Sequence, residues 1–308
     1  MSKNHLVLIL TLLGISVACS TAAPTSSTSG GLLKVVATTG MIGNAVEIIG
    51  GDAIQVDTLM GPGVDPHLYK ASEGDVQRLT GADLIFYNGL HLEGKMTDIF
   101  VKLASRRPII AVAAELDESR LREPPEFAGQ YDPHVWFDVE LWAGVLEPIT
   151  DALAAQLPDQ ADQFRERAEA YRNELLELDR WAEQRVSEIP EDQRILVTAH
   201  DAFGYFGRRY GMRVVGIQGL STLSEAGLRD IGRVVDAVED SGISAIFIES
   251  SVPRRAIEAV LAACRDRGAE VVIGGELFSD AMGSPDSAEG SYIGMVRHNV
   301  NTIVEALK

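Results

Sequence analysis

Eight short runs rich in Val and Ile, each passing into a stretch with helical periodicity, constrain this chain more than any other feature of its sequence. In the first half they are Leu33 to Thr38, Ile54 to Leu59, Ala82 to Tyr87 and Pro108 to Val112. In the second half they are Arg194 to Thr198, Met212 to Ile217, Ala245 to Glu249 and Ala269 to Ile273. Strands apolar at consecutive positions need cover on both faces, which parallel sheets flanked by helices provide. The rhythm breaks once. Between Pro158 and Pro190 there is no glycine, and Phe164, Ala168, Tyr171, Leu175, Leu178 and Trp181 trace one face of a helix, with a charged face opposite. Some thirty residues at ~1.5 Å each make a rod about 45 Å long, enough to brace two α/β lobes. The expected architecture is α/β: two lobes, 32–157 and 190–308, each with a parallel sheet between helices, joined by one long rigid helix over 158–189.

Charge narrows the partners. With 27 Lys and Arg against 45 Asp and Glu, the net charge of -18 repels phosphate backbones, so nucleic acid is excluded. An acidic surface also concentrates cations near any cleft it surrounds. The two cysteines, Cys19 and Cys264, cannot make a disulfide framework or a thiolate-rich zinc module. Cys264 reads as a small buried hydrophobe in a helix.

The first residues, MSKNHLVLILTLLGISVAC, combine Lys3, an apolar run from Leu6 to Ile15 and small residues up to Cys19. That pattern is an export signal over 1–18, and its apolar run is about half the ~20 residues a spanning helix needs. Ser16-Val17-Ala18-Cys19 resembles the lipobox of bacterial lipoproteins, departing from it at Ser16, where Leu is usual. The resemblance implies a lipid on Cys19. The segment 20–31, STAAPTSSTSGG, has the composition of a flexible tether. The expected location is therefore outside the cytoplasm, on the outer face of the membrane or in the periplasm.

Three of the six histidines occupy conspicuous settings. Asp65-Pro66-His67 follows the second run, Asp132-Pro133-His134 follows a loop, and His200 ends the run Ile195 to Ala199. Ligands of open parallel sheets collect at the carboxyl ends of strands, and a Pro-His pair presents its imidazole from a stiffened backbone. Taken singly, each histidine reads more readily as structural. Asp280, in the loop after the last run, is a fourth candidate, and the four would bring two groups from each half into one cleft. Asp65, Asp132, Asp201 and Glu249 stand where a carboxylate could accept a ring N–H, or equally cap a helix or hold a turn. His91 and His298 read as solvated or packed.

The segments VDPHLYKASEGDVQRL, YDPHVWFDV, LVTAHDAFGYFGRRYG, GIQGLSTLSEAG, IFIESSVP and ELFSDAMG together resemble the signature blocks of the cluster A-I solute-binding proteins, the zinc and manganese receptors of ABC importers. The resemblance covers about residues 33 to 308. It implies two lobes joined by a rigid helix, and a metal ion between them at the matching positions His67, His134, His200 and Asp280. It further implies an ABC permease and its ATPase as partners, a lipid anchor at Cys19, a monomer, and no catalysis. Three imidazoles and a carboxylate suit tetrahedral Zn²⁺, while Mn²⁺ prefers more oxygen. Manganese-dedicated relatives often carry Glu where this chain has His200. Zinc-dedicated ones often carry a histidine-rich loop in the region 114–130, which contains no histidine here. The cargo expected is thus Zn²⁺ or Mn²⁺.

Two alternatives remain at this level. An exported zinc hydrolase would need an open coordination position and a nearby base, and no H-E-x-x-H occurs. A surface adhesin, a role attached to some relatives, is demanded by no residue. ATP hydrolysis belongs to a partner, since no complete phosphate-cradling G-x-x-x-x-G-K-[ST] segment is present.

Overall fold

In the computed structural model, which describes residues 31–127 and 129–308, each expected run forms a strand. The export signal, Cys19 and the tether as far as residue 30 lie outside the described residues. The first four strands are β1 (Leu33–Ala37), β2 (Ile54–Thr58), β3 (Leu84–Tyr87) and β4 (Ile109–Ala111), in one parallel sheet of order β2-β1-β3-β4. The second four are β5 (Ile195–Thr198), β6 (Arg213–Gly216), β7 (Ala245–Glu249) and β8 (Val272–Leu277). They form parallel pairs β5-β6 and β7-β8, with β5 lying beside β7.

Alternation along each strand feeds two cores at once. Val35, Ala37, Leu84 and Phe86 point into the main core, whereas Val36 and Ile85 point into a smaller cluster with Leu79 and Phe100 on the opposite face. In the second half, Leu196, Ala245 and Phe247 enter the same main core, and Val197, Ile246 and Ile248 face an outer cluster. Such period-two division between two covered faces is what consecutive apolar positions require.

The helices supply the cover. They are α1 (Gly40–Gly50), α2 (Glu73–Gly81), α3 (Thr97–Ala104), α4 (Val139–Trp142), α5 (Leu146–Gln156), α6 (Ala161–Val186), α7 (Gly204–Tyr210), α8 (Leu228–Ser241), α9 (Arg255–Asp266) and α10 (Tyr292–Leu307). Gly43 lets α1 lie close on β2, because a Cβ there would stand 2.3 Å from Thr58 Oγ1. A capping box sets the start of α2: Ser72 accepts from the Asp75 backbone while the Asp75 carboxylate accepts from Ser72 N. Cys264 is buried in α9.

At 26 residues, α6 is about 39 Å long and begins after a tight turn at Pro158–Gln160. It packs against α1 and α5 on one side and α7 and α10 on the other, so it touches both halves. Phe164, Ala168, Tyr171, Leu175 and Leu178 are buried as the spacing anticipates, and Ala182 and Val186 continue the stripe. Trp181 also packs against the main core, at the margin of the stripe. Its ring is only half-buried and lies under the Arg297 guanidinium, 4.6 Å from the ring centroid. The last strand is also displaced, running on past the expected apolar run through Gly274 and Gly275. Gly274 is needed at that place, because a Cβ would come within 2.8 Å of Ala306 Cβ and Phe247 Cε1.

Leu175 is fully buried in the stripe that joins the halves. Leu175→Ala is expected to lower the unfolding free energy by about 2–5 kcal/mol, whereas Trp181→Ala should cost less, measured by urea denaturation.

Candidate metal centre

Four polar side chains meet at the centre, three of them following the carboxyl end of a strand. His67 lies in the loop after β2, His200 two residues past β5, and Asp280 three residues past β8. His134 opens a short 3₁₀ turn at Val135–Phe137, and the preceding Pro133 carbonyl accepts a 3.0 Å hydrogen bond from Asn88 Nδ2, just past β3. All four are buried, and one ligand atom from each lies within 4.8 Å of the others.

The spacings are those of a coordination polyhedron. His67 Nε2 stands 3.2 Å from His134 Nε2 and 3.7 Å from Asp280 Oδ2. His134 Nε2 is 3.5 Å from Asp280 Oδ1, and His200 Nε2 is 3.3 Å from Asp280 Oδ2. Zn–N and Zn–O bonds of about 2.0–2.1 Å place tetrahedral neighbours about 3.3–3.4 Å apart. His200 Nε2 and both carboxylate oxygens of Asp280 are buried without a hydrogen-bond partner among the described residues. Buried polar atoms ordinarily find partners, and a cation would satisfy all three together.

Two of the imidazoles are oriented from behind. Asp132 Oδ1 accepts from His134 Nδ1 at 2.7 Å and from the His134 backbone N–H at 3.0 Å. Glu249 does the same for His200, at 2.5 Å to Nδ1 and 2.9 Å to the backbone N–H. Each carboxylate keeps a proton on Nδ1, so that Nε2 is the nitrogen turned to the centre and free to bind a cation once it carries no proton itself. Asp65 acts differently, accepting from the backbone N–H of His67 at 2.8 Å and leaving the ring alone. Asp201 accepts no hydrogen bond from any imidazole. Its backbone N–H donates to Gly219 O, and its carboxyl lies in the field of Asp132 and Arg122.

Sequence reasoning missed three supports. Arg122 pairs with Asp132 on the side away from His134. Trp136 Nε1 donates to the Ser279 carbonyl at 2.9 Å, tying the His134 turn to the loop that carries Asp280. Asn88 holds Pro133, as described above. The Trp two residues after His134 was the one visible cue, since a buried indole N–H needs an acceptor. His91 is exposed, and His298 Nε2 reaches the Glu276 carbonyl at 2.9 Å, so neither enters the centre.

Burial and neighbouring charge split the titrations. Burial pushes the His67 imidazole down to about 3, against the pull of Asp280. Burial also disfavours the His200 cation, but Glu249 and Asp280 together override it and hold His200 well above the ordinary histidine value. Burial would raise Asp280, yet the surrounding imidazoles, His200 foremost, hold its carboxyl well below the usual carboxylate range.

The chain is similar to known proteins over nearly this whole body. Residues 35–306 match the family profile ZnuA, described as zinc-uptake complex component A periplasmic. The chain is 48% identical to the manganese-binding lipoprotein MntA of Bacillus subtilis over 276 residues, 90% of each chain. It is also 48% identical to the zinc-binding protein TroA of Treponema pallidum over 273 residues, 89% of this chain and 88% of that one. The solved structure of the Treponema protein superposes with a TM-score of 0.88 at 47% identity, covering 90% of this chain and 99% of the other. Fe(III)-bound YtgA from Chlamydia trachomatis superposes with a TM-score of 0.80 at 30% identity, covering 89% and 98%.

Because Glu249 and Asp280 hold His200 well above the ordinary histidine value while burial holds His67 below it, a divalent cation entering the centre is expected to displace a proton at His200. Zn²⁺ affinity is expected to fall roughly tenfold per unit as pH drops below neutral. Calorimetric titrations in buffers of different ionisation enthalpy should show about one proton released per ion. A dissociation constant equal at neutral and mildly acid pH would contradict this.

Proposed function

Because the chain belongs to the ZnuA family of metal-uptake components, we propose that it captures Zn²⁺ or Mn²⁺ outside the cytoplasm and hands the ion to the permease of an ABC importer. The ion sits among His67, His134, His200 and Asp280. One observation carries this reading: a buried Asp280 carboxylate with both oxygens unpaired, facing the Nε2 atoms of three buried imidazoles.

Family members are solute-binding receptors, and this chain is a receptor and not an enzyme. Four protein donors close a tetrahedral sphere and leave no position for an activated water. Three imidazoles with one carboxylate oxygen favour Zn²⁺, and the second Asp280 oxygen supplies the additional hard donor that Mn²⁺ prefers. Zinc binds the tighter of the two by the Irving–Williams order. Energy for transport comes from the partner ATPase.

Residues 1–18 direct export, Cys19 carries the lipid that holds the protein at the membrane, and 20–31 tether the body to it. The mature chain acts as a monomer. Residues 32–157 and 190–308 serve as the two lobes, and the 158–189 connection, built on α6, limits how far they separate. The four proposed ligands then come in pairs from the two lobes, so the bound ion draws the lobes together.

Binding should occur at one Zn²⁺ per chain, and Asp280→Ala or His200→Ala should weaken it at least 100-fold, read by competition with a chelating indicator. The unaltered chain should gain about 4 kcal/mol of apparent stability at free Zn²⁺ 1,000-fold above Kd, a gain lost in both variants. Equal binding after replacement of all four residues would refute the assignment. Cells lacking the protein should hold less zinc or manganese when either is scarce.

A further inference from the structure

The loop from Ile217 to Gly227, between β6 and α8, brackets two of the proposed ligands, one from each half of the molecule. At its root, Gln218 N donates to Ala199 O at 3.0 Å and Asp201 N donates to Gly219 O at 3.2 Å, so the loop grips the backbone on both sides of His200. At its middle, Thr222 Oγ1 donates to Asp65 Oδ2 at 2.5 Å, across 157 residues of sequence. The other oxygen of Asp65 accepts the backbone N–H of His67 at 2.8 Å. A continuous path of hydrogen bonds therefore runs from the His200 turn, through the loop, to the peptide of His67.

Thr222 is the one buried polar side chain of the loop. Thr222 is 7% exposed, while the adjoining Leu223 is 59% exposed and Leu228, where the loop enters α8, is 89% exposed. The loop buries Ile217 and Leu220 as apolar anchors and Thr222 as its one hydroxyl, and that hydroxyl meets a carboxylate of the opposite half. A hydrogen bond to a charged group contributes more than a neutral one, and opening the cleft would break it.

We propose that Thr222 is a closure latch: through Asp65 it holds the His67 loop against the His200 turn and thereby sets how slowly a bound cation leaves, without itself touching the ion. This rests on the metal-receptor reading. Thr222 is a positioning residue, and removing its hydroxyl acts on release more than on capture, because this bond must break before the His67 loop and the His200 turn can part to let a bound cation out.

The test loads the protein with Zn²⁺ and follows release into excess EDTA by stopped flow. Thr222→Val and Thr222→Ala should release Zn²⁺ about tenfold faster or more, with a much smaller change in the association rate. Thr222→Ser, which restores the hydroxyl, should release at nearly the rate of the unaltered chain. Release from the Val and Ala variants at the unaltered rate overturns the latch, as does equal acceleration in the Ser variant, which would assign the effect to the methyl group. An unaltered chain that takes up no Zn²⁺ instead overturns the receptor reading beneath it.

Discussion

The structure depends on a carboxylate that the protein leaves without a partner. Asp280 is almost completely buried and neither of its oxygens accepts a hydrogen bond among the described residues. Isolating a carboxylate from water costs several kcal/mol unless a positive charge or several donors answer it. In the same neighbourhood stand Asp65, Asp132, Asp201 and Glu249, and Arg122 is engaged by Asp132. Without metal, the proton on His200 serves as partial compensation, which is why that imidazole titrates so high. A divalent ion replaces the proton with more charge and satisfies the unpaired atoms together. The ligand is the missing member of a charge arrangement the fold has already made.

The scaffold explains how such an arrangement is held. Parallel strands send their carboxyl-end loops to one edge, so His67, His200 and Asp280 arrive there without long excursions. The loops are then stitched across the halves: Trp136 to the Ser279 carbonyl, Tyr205 Oη to the Asp132 carbonyl, and Thr222 to Asp65. Behind them α6 packs on helices from both halves, and its buried Asp179 is paired with Arg209 of α7. Rigid backing with hydrogen-bonded loops in front permits small movements at the mouth while the core stays intact. That suits a protein that must both retain and surrender one ion.

Much of this was legible in residue order, for identifiable reasons. A strand covered on both faces must be apolar at consecutive positions, so every strand announced itself and seven kept nearly the expected bounds. The last was blurred because Gly274 and Gly275 sit where close packing forbids a side chain, and glycine carries no apolar signal. The helix stripe held through Trp181, whose half-buried ring packs on the core and also lies under Arg297, a contact no spacing rule foretells. The Asp-Pro-His segments and His200 pointed to the centre by position, and so did Asp280 in the loop after the last run, to which the resemblance to a family added weight. Asp132 and Glu249 were among the carboxylates foreseen to accept a ring N–H, but the contacts that brace those loops from further out were illegible. Arg122 with Asp132 and Thr222 with Asp65 are ordinary residues in loops, and only the folded chain shows which carboxylates they meet.

The central claim is that three imidazoles and the Asp280 carboxylate surround one ion. X-ray absorption at the zinc edge of the loaded protein examines that set directly, because it reports the number and kind of atoms bound to the metal. The account predicts three imidazole nitrogens and carboxylate oxygen at about 2.0–2.2 Å, with no sulfur. A spectrum with sulfur in the first shell, or with fewer than three imidazoles and the balance made up by water, would contradict it.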